Sequence, residues 1–146
     1  MKQTQQPLLT GEELYRLIPQ RPPIVMVDHL FHADNQGAET GLTVHPHTLF
    51  CKDGCLREPG IIEHVAQSAA AFAGYPAYTR SEPPRLGFIG EVKKFKILSL
   101  PKVEDRLYTT LKILAEAEGV TLIAAETRTE QGIVATGQMK IFIKED

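Results

Sequence analysis

Cysteine is scarce in this chain, with two in 146 residues, so a disulfide-stapled scaffold is excluded and a reducing cytoplasm is the expected setting. Basic residues are not in excess: 16 Lys and Arg stand against 18 Asp and Glu, a formal net charge of -2. That balance argues against a general nucleic-acid binder and a membrane-surface protein, both of which favour surplus positive charge. No apolar run approaches the roughly 20 residues of a membrane span. The opening Met1-Lys-Gln-Thr-Gln-Gln-Pro7 is polar and lacks the apolar core of a secretion signal. Internal repeats and low-complexity segments are missing as well. What remains, 42% hydrophobic and 23% charged residues, is the composition of one globular domain over 1–146, large enough for its own core.

The strongest pattern runs from Glu58 to Gly74. Ile61, Ile62, Val65, Ala66, Ala69, Ala70, Phe72 and Ala73 leave no broad polar side, which marks a helix buried nearly all round. Glu63 and Gln67 stand four residues apart and so lie on one face of it. A carboxylate in such a helix costs several kcal/mol unless paired or protonated, so a chain keeps one there for chemistry or for a buried ion pair.

Around this helix the sequence predicts mostly strands. Gly11 to Ile18 reads as a short helix with Thr10 and Glu13 as a capping box, ended by Pro19. Ile24 to Phe31 and Glu39 to Val44 read as strands joined by the Asp34-Asn-Gln-Gly37 turn, and His45 to Arg57 as an irregular loop. Gly74 and Pro76 are expected to stop the long helix. Strands follow over Leu86–Leu98, Arg106–Ala117, Val120–Thr129 and Ile133–Ile143, with hairpin turns at Glu118-Gly119 and Glu130-Gln-Gly132. One buried helix and several antiparallel strands imply an α+β domain of hotdog type, a sheet wrapped around one central helix. A second subunit would cover whatever helix face the sheet leaves open.

Three blocks resemble the 3-hydroxyacyl-acyl-carrier-protein dehydratases of fatty-acid synthesis, and most closely the divergent dehydratase-like branch of bacterial pigment and aryl-polyene clusters. Leu17-Ile-Pro-Gln-Arg-Pro-Pro-Ile-Val-Met-Val-Asp28 is similar to the family's opening signature. Pro59-Gly60 with Glu63-His-Val-Ala-Gln67 resembles its proline-glycine turn and its glutamate, alanine, glutamine helix, and Phe88 to Lys96 resembles the strand that follows. Two departures stand out. Leu49 occupies the place of the histidine in the family's histidine-phenylalanine-proline motif, and Pro59-Gly60 lies closer to Glu63 than in those enzymes.

The resemblance implies a hydro-lyase acting on a 3-hydroxyacyl thioester borne by acyl carrier protein, as a homodimer or larger homo-oligomer. Such a reaction requires a base, an acid, and donors for the charge that builds on the thioester oxygen. Apolar surroundings favour the neutral form of a carboxyl, which suits Glu63 as the acid, and His47 titrates in the range of a base. Backbone N–H groups of Gly60 and Ile61 are candidates for the carbonyl site, Gln67 for holding the Glu63 carboxyl, and Ala66, Ala69 and Ala70 for leaving room beside the helix for an acyl chain.

Blander readings stand beside each of these. Glu63 fits a structural pair with an arginine, His47 is not singled out over His45 by spacing, and His64 reads as a packing or interface residue. Lys93, Lys94 and Lys96 with Arg85 suit an acidic carrier protein or a solvated strand face. His45, His47, Cys51 and Cys55 bring four ligand-type residues together, but not at the spacing of paired zinc knuckles, and no metal or cofactor is expected. A thioesterase on the same fold and a non-catalytic acyl-binding subunit are the competing functions.

Overall fold

Strand-forming residues alternate with turn residues through the second half of the chain, and the long helix must be covered. The computed structural model meets both demands, and it describes residues 6–83, 85 and 87–143. The polar start at Met1–Gln5, the expected first strand residue Leu86 and the far end from Lys144 lie outside the described residues. In chain order the elements are β1 (Leu9–Thr10), α1 (Gly11–Tyr15), β2 (His29–Ala33), β3 (Gly37–Thr43), β4 (Cys51–Lys52), β5 (Cys55–Leu56), α2 (Glu58–Thr79), β6 (Gly87–Ile97), β7 (Arg106–Ala117), β8 (Val120–Thr129) and β9 (Gly132–Ile143). A seven-stranded antiparallel sheet has the order β1-β2-β3-β7-β8-β9-β6. Helix α2 packs on one face of it, against β2, β3, β6, β7 and β9. Register shifts between Ile89 and Glu91, Lys93 and Lys96, and Ile113 and Ala115 mark bulges, which bend strands and increase twist.

The turns form where the sequence places them. Asp34 Oδ1 accepts from the N–H groups of Gln36 and Gly37, closing the β2–β3 connection. Glu118 and Gly119, at φ 47° and 83°, are both left-handed, as the tight β7–β8 hairpin requires.

Five local expectations are corrected. The segment from Ile24 to Asp28 is not strand, because side chains of α2 take its backbone groups: Gln67 binds Met26 N–H and the Ile24 carbonyl, and His64 binds the Met26 carbonyl. The loop before α2 contains the small β4–β5 hairpin. Pro76 does not stop α2, which runs on to Thr79; the proline lies in the last turn and removes only its own N–H from the ladder. Gly74 is a contact position rather than a cap, since a Cβ there would stand 2.8 Å from the backbone oxygen of Leu17. Around α1, Thr10 is the N-cap residue but makes no side-chain cap bond, and Glu13 accepts instead from the Tyr78 hydroxyl at 2.9 Å.

The core lies between α2 and the sheet. Val65, Ala69, Ala71 and Phe72 of the helix meet Leu30, Leu111, Ile123, Met139 and Ile141, with Leu14, Leu17 and Ile18 closing one end. A second cluster under the start of α2 joins Ile61 to Met26, Leu42, Val44, Leu56, Leu107 and Val134. Ile62, Ala66 and Ala73 are only half-buried and fall on one stripe of the helix, so the sheet of a single chain leaves that stripe open.

Candidate active site

Glu63 sits in the second turn of α2 beside that stripe, and is half-buried rather than enclosed. Its Oε2 accepts a 2.8 Å hydrogen bond from Gln67 Nε2. Gln67 itself is fully buried: Nε2 also donates to the Ile24 carbonyl at 2.9 Å, and Oε1 accepts from Met26 N–H at 2.6 Å. With the oxygen committed to a backbone donor and the nitrogen to a carbonyl, the amide cannot be turned around. Oε2 of Glu63 therefore always faces a donor. When Glu63 is protonated, its proton belongs on Oε1, the oxygen Gln67 leaves open.

His64, the next residue, points the other way into the sheet and is completely buried. Nδ1 donates to the Met26 carbonyl at 2.7 Å, since a carbonyl only accepts, and this leaves Nε2 to accept from the Thr109 hydroxyl at 2.8 Å. Thr127 then donates to Thr109 Oγ1 at 2.7 Å. Thr40, Thr109 and Thr127 are direct partners across β3, β7 and β8, a row of hydroxyls facing α2. Thr40 also meets Ser68, whose hydroxyl donates to the His64 carbonyl. Reading the sequence as packing for His64 found its burial but not these partners; the inward threonines at alternating positions are the signal that points to them.

The ring sets a pH dependence. Burial holds His64 below its ordinary value of 6.5, outweighing the Met26 carbonyl and the Asp28 charge, which act upward. As pH falls below 6.5 the unfolded chain protonates this ring and the native chain does not, so stability is whole above that pH and lost below it. The loss from this one group approaches about 1.4 kcal/mol per pH unit. His29 has the opposite sign: its hydrogen bond to Asp28 raises it, so its contribution is present below 6.5 and fades as pH rises. Urea midpoints measured at about pH 7.5 and about pH 5.5 should fall for the parent chain and fall less for His64→Asn. Equal falls in both would place the acid sensitivity elsewhere.

The other expected residues are distributed as follows. Ala66 is half-buried on the open stripe, and Ala70 lies in the core beside it. Gly60 N–H and Ile61 N–H both donate to the Arg57 carbonyl, at 2.9 and 3.2 Å, so neither is a free donor; a substrate oxygen would have to displace that carbonyl. A Cβ at Gly60 would stand 2.5 Å from the Leu56 side chain, so a larger residue there would push Leu56 aside. His47 and His45 are exposed on the loop before β4, their rings stacked 5.8 Å apart. Among the described residues Gln67 is the side-chain partner of Glu63, and neither imidazole reaches it. Glu63 is also not paired with an arginine there, so the purely structural ion pair is not formed. Cys51 donates weakly to the His45 carbonyl at 3.7 Å, and its thiol is pushed up by burial. No group of three metal-type ligands is gathered among the described residues.

Comparison with solved structures places the fold. The dehydratase heterocomplex ApeI:P from Xenorhabdus doucetiae superposes with a TM-score of 0.81 at 17% identity, over 94% of this chain and 93% of that one. PH1136 from Pyrococcus horikoshii gives 0.68 at 15% identity, over 95% and 97%. A hypothetical thioesterase from Streptococcus pneumoniae, solved with coenzyme A, gives 0.63 at 12%, over 80% and 85%. At such identities these likenesses establish the hotdog fold. No curated protein matches the chain in sequence. Residues 12–146, which hold every element after β1, match the ApeP-like family, described as ApeP dehydratase, and the chain belongs to that dehydratase family.

Proposed function

We propose that this protein removes water from a 3-hydroxyacyl thioester carried on acyl carrier protein, giving the trans-2-enoyl thioester for a fatty-acid or polyene-type chain. The observation that carries the reading is the Glu63–Gln67 pair: a half-buried carboxyl with one oxygen held by a fixed amide donor and the other open beside the Ile62, Ala66 and Ala73 stripe. In the reaction a base takes the proton next to the thioester carbonyl. Electrons move to form the carbon–carbon double bond, and the hydroxyl leaves as water with the proton from Glu63 Oε1. The small stripe residues give the acyl chain a path along α2.

His47 is the base in this proposal. It reaches the acid of another subunit, which explains an exposed imidazole on one chain and an uncovered stripe on the same chain. The second subunit is either another copy or a different chain, the latter arrangement having its parallel in the dehydratase heterocomplex of Xenorhabdus doucetiae. Lys93, Lys94 and Lys96, on the edge strand β6, supply positive charge for the carrier protein.

Incubation with a 3-hydroxyacyl thioester tests the proposal. Appearance of ultraviolet-absorbing enoyl thioester supports it. Release of free thiol instead would make the protein a thioesterase, and binding without either product would make it an acyl-binding subunit.

A further inference from the structure

The chain from Ile24 to Asp28 carries Ile, Val and Val in a pattern suited to a strand, and it adjoins β2 in sequence. It is nevertheless laid on α2 and does not extend β2, although Asp28 N–H at its end still donates to the Gly41 carbonyl of β3. Three hydrogen bonds account for this, all from helix side chains: Gln67 to the Ile24 carbonyl and Met26 N–H, and His64 Nδ1 to the Met26 carbonyl. Met26 is fully buried, so its N–H and its carbonyl would otherwise lack water as well as a partner. His64 and Gln67 thus grip one residue from both of its peptide groups.

The grip matters because Met26 N–H and the Ile24 carbonyl, both on this segment, are what fix the Gln67 amide. With the segment released from both, Oε1 and Nε2 could exchange places, and an oxygen would face Glu63 instead of a donor. We propose that His64 is a positioning residue for Glu63: by holding the Met26 carbonyl it keeps Met26 N–H on Gln67, and so keeps the Gln67 donor on the Glu63 carboxyl. This rests on Glu63 being the reactive acid. The other nitrogen of His64 faces the Thr109–Thr127 pair, which belongs to the packing of the sheet and takes no part in the grip. The two sides of one ring therefore have separable roles.

Isosteric amides separate them. The nitrogen of Asn at position 64 falls near the place of Nδ1, toward Met26, whereas that of Gln falls near the place of Nε2, toward Thr109. His64→Asn should keep turnover within about tenfold of the parent enzyme, while His64→Gln should lower kcat about 10²-fold with KM little changed, the size expected for a displaced catalytic group. Thr109→Val, which breaks only the other side, should lower stability and leave kcat per folded molecule near the parent value. A readout without turnover accompanies these: the Gln67 side-chain NH₂ resonances, assigned by NMR, should be protected from solvent exchange in the parent, His64→Asn and Thr109→Val proteins, and lose protection in His64→Gln. Equal kcat for the Asn and Gln variants, or unchanged Gln67 protection in the Gln variant, would overturn the proposal. If the parent protein forms no enoyl product, the dehydratase reading fails on its own, and the Gln67 protection still decides whether His64 sets that amide.

Discussion

Glu63→Gln should abolish turnover of a 3-hydroxyacyl thioester, a fall on the order of 10²–10⁴-fold, while the protein folds as well as before or better. The substituted side chain has the same shape, and its amide oxygen can still accept from Gln67 Nε2 in place of Oε2. What it lacks is a proton to give from the open position. Because an amide carries no charge, the desolvation cost of a half-buried carboxylate disappears, so the urea midpoint should hold or rise. Enoyl absorbance at matched folded concentration is the measurement, with far-ultraviolet circular dichroism as the check on folding. Full activity in this variant would remove Glu63 from the chemistry. A parallel loss in His47→Ala, larger than in His45→Ala, would identify the base; equal losses would mean that the stacked pair acts otherwise than proposed.

Much of this architecture is legible in the residues because local and global preferences agree. The all-round apolar character of residues 58–74 is incompatible with a surface helix, so a covering layer, by a curled sheet or by a second subunit on the remaining face, follows from the pattern. β7 and β8 end where Glu118-Gly119 forces a left-handed turn, and their bounds are those the sequence predicts. The Glu63–Gln67 contact follows from their spacing of one helical turn. Where reading failed, the deciding partner was distant. Ile24 to Asp28 has the composition of a strand, and only side chains 38 and 41 residues further on keep it from being one. Pro76 is a stop signal in isolation, yet near the end of an already nucleated helix it forfeits a single bond. The departure at Leu49 was visible from sequence, but the consequence was not: the two nearby histidines stack on each other in solvent, away from the acid of their own chain.

Truncating the centre of the sheet should cost more stability than any other change considered. Ile123 is fully buried in β8, paired with Ile113 on β7 and Met139 on β9, and belongs to the cluster that closes on α2. Ile123→Ala should destabilise by about 2–5 kcal/mol, since both strand neighbours are hydrogen-bonded in place and cannot collapse into the space. Ile133→Ala, at a position 44% exposed near the start of β9, should stay within about 0.5 kcal/mol of the parent. Urea midpoints at constant slope measure both, and equal costs would mean that β8 presents its other face to the helix. The consequence reaches the buried hydroxyl row, because side chains alternate along a strand: Ile123, Ala125 and Thr127 share the inward face. A slip of one residue that exposes Ile123 also withdraws Thr127 from Thr109, and with it the hydroxyl chain that ends on His64. The same register that fills the core therefore keeps the Thr109–Thr127 pair under the buried ring, a matter of stability and not of the Glu63 carboxyl.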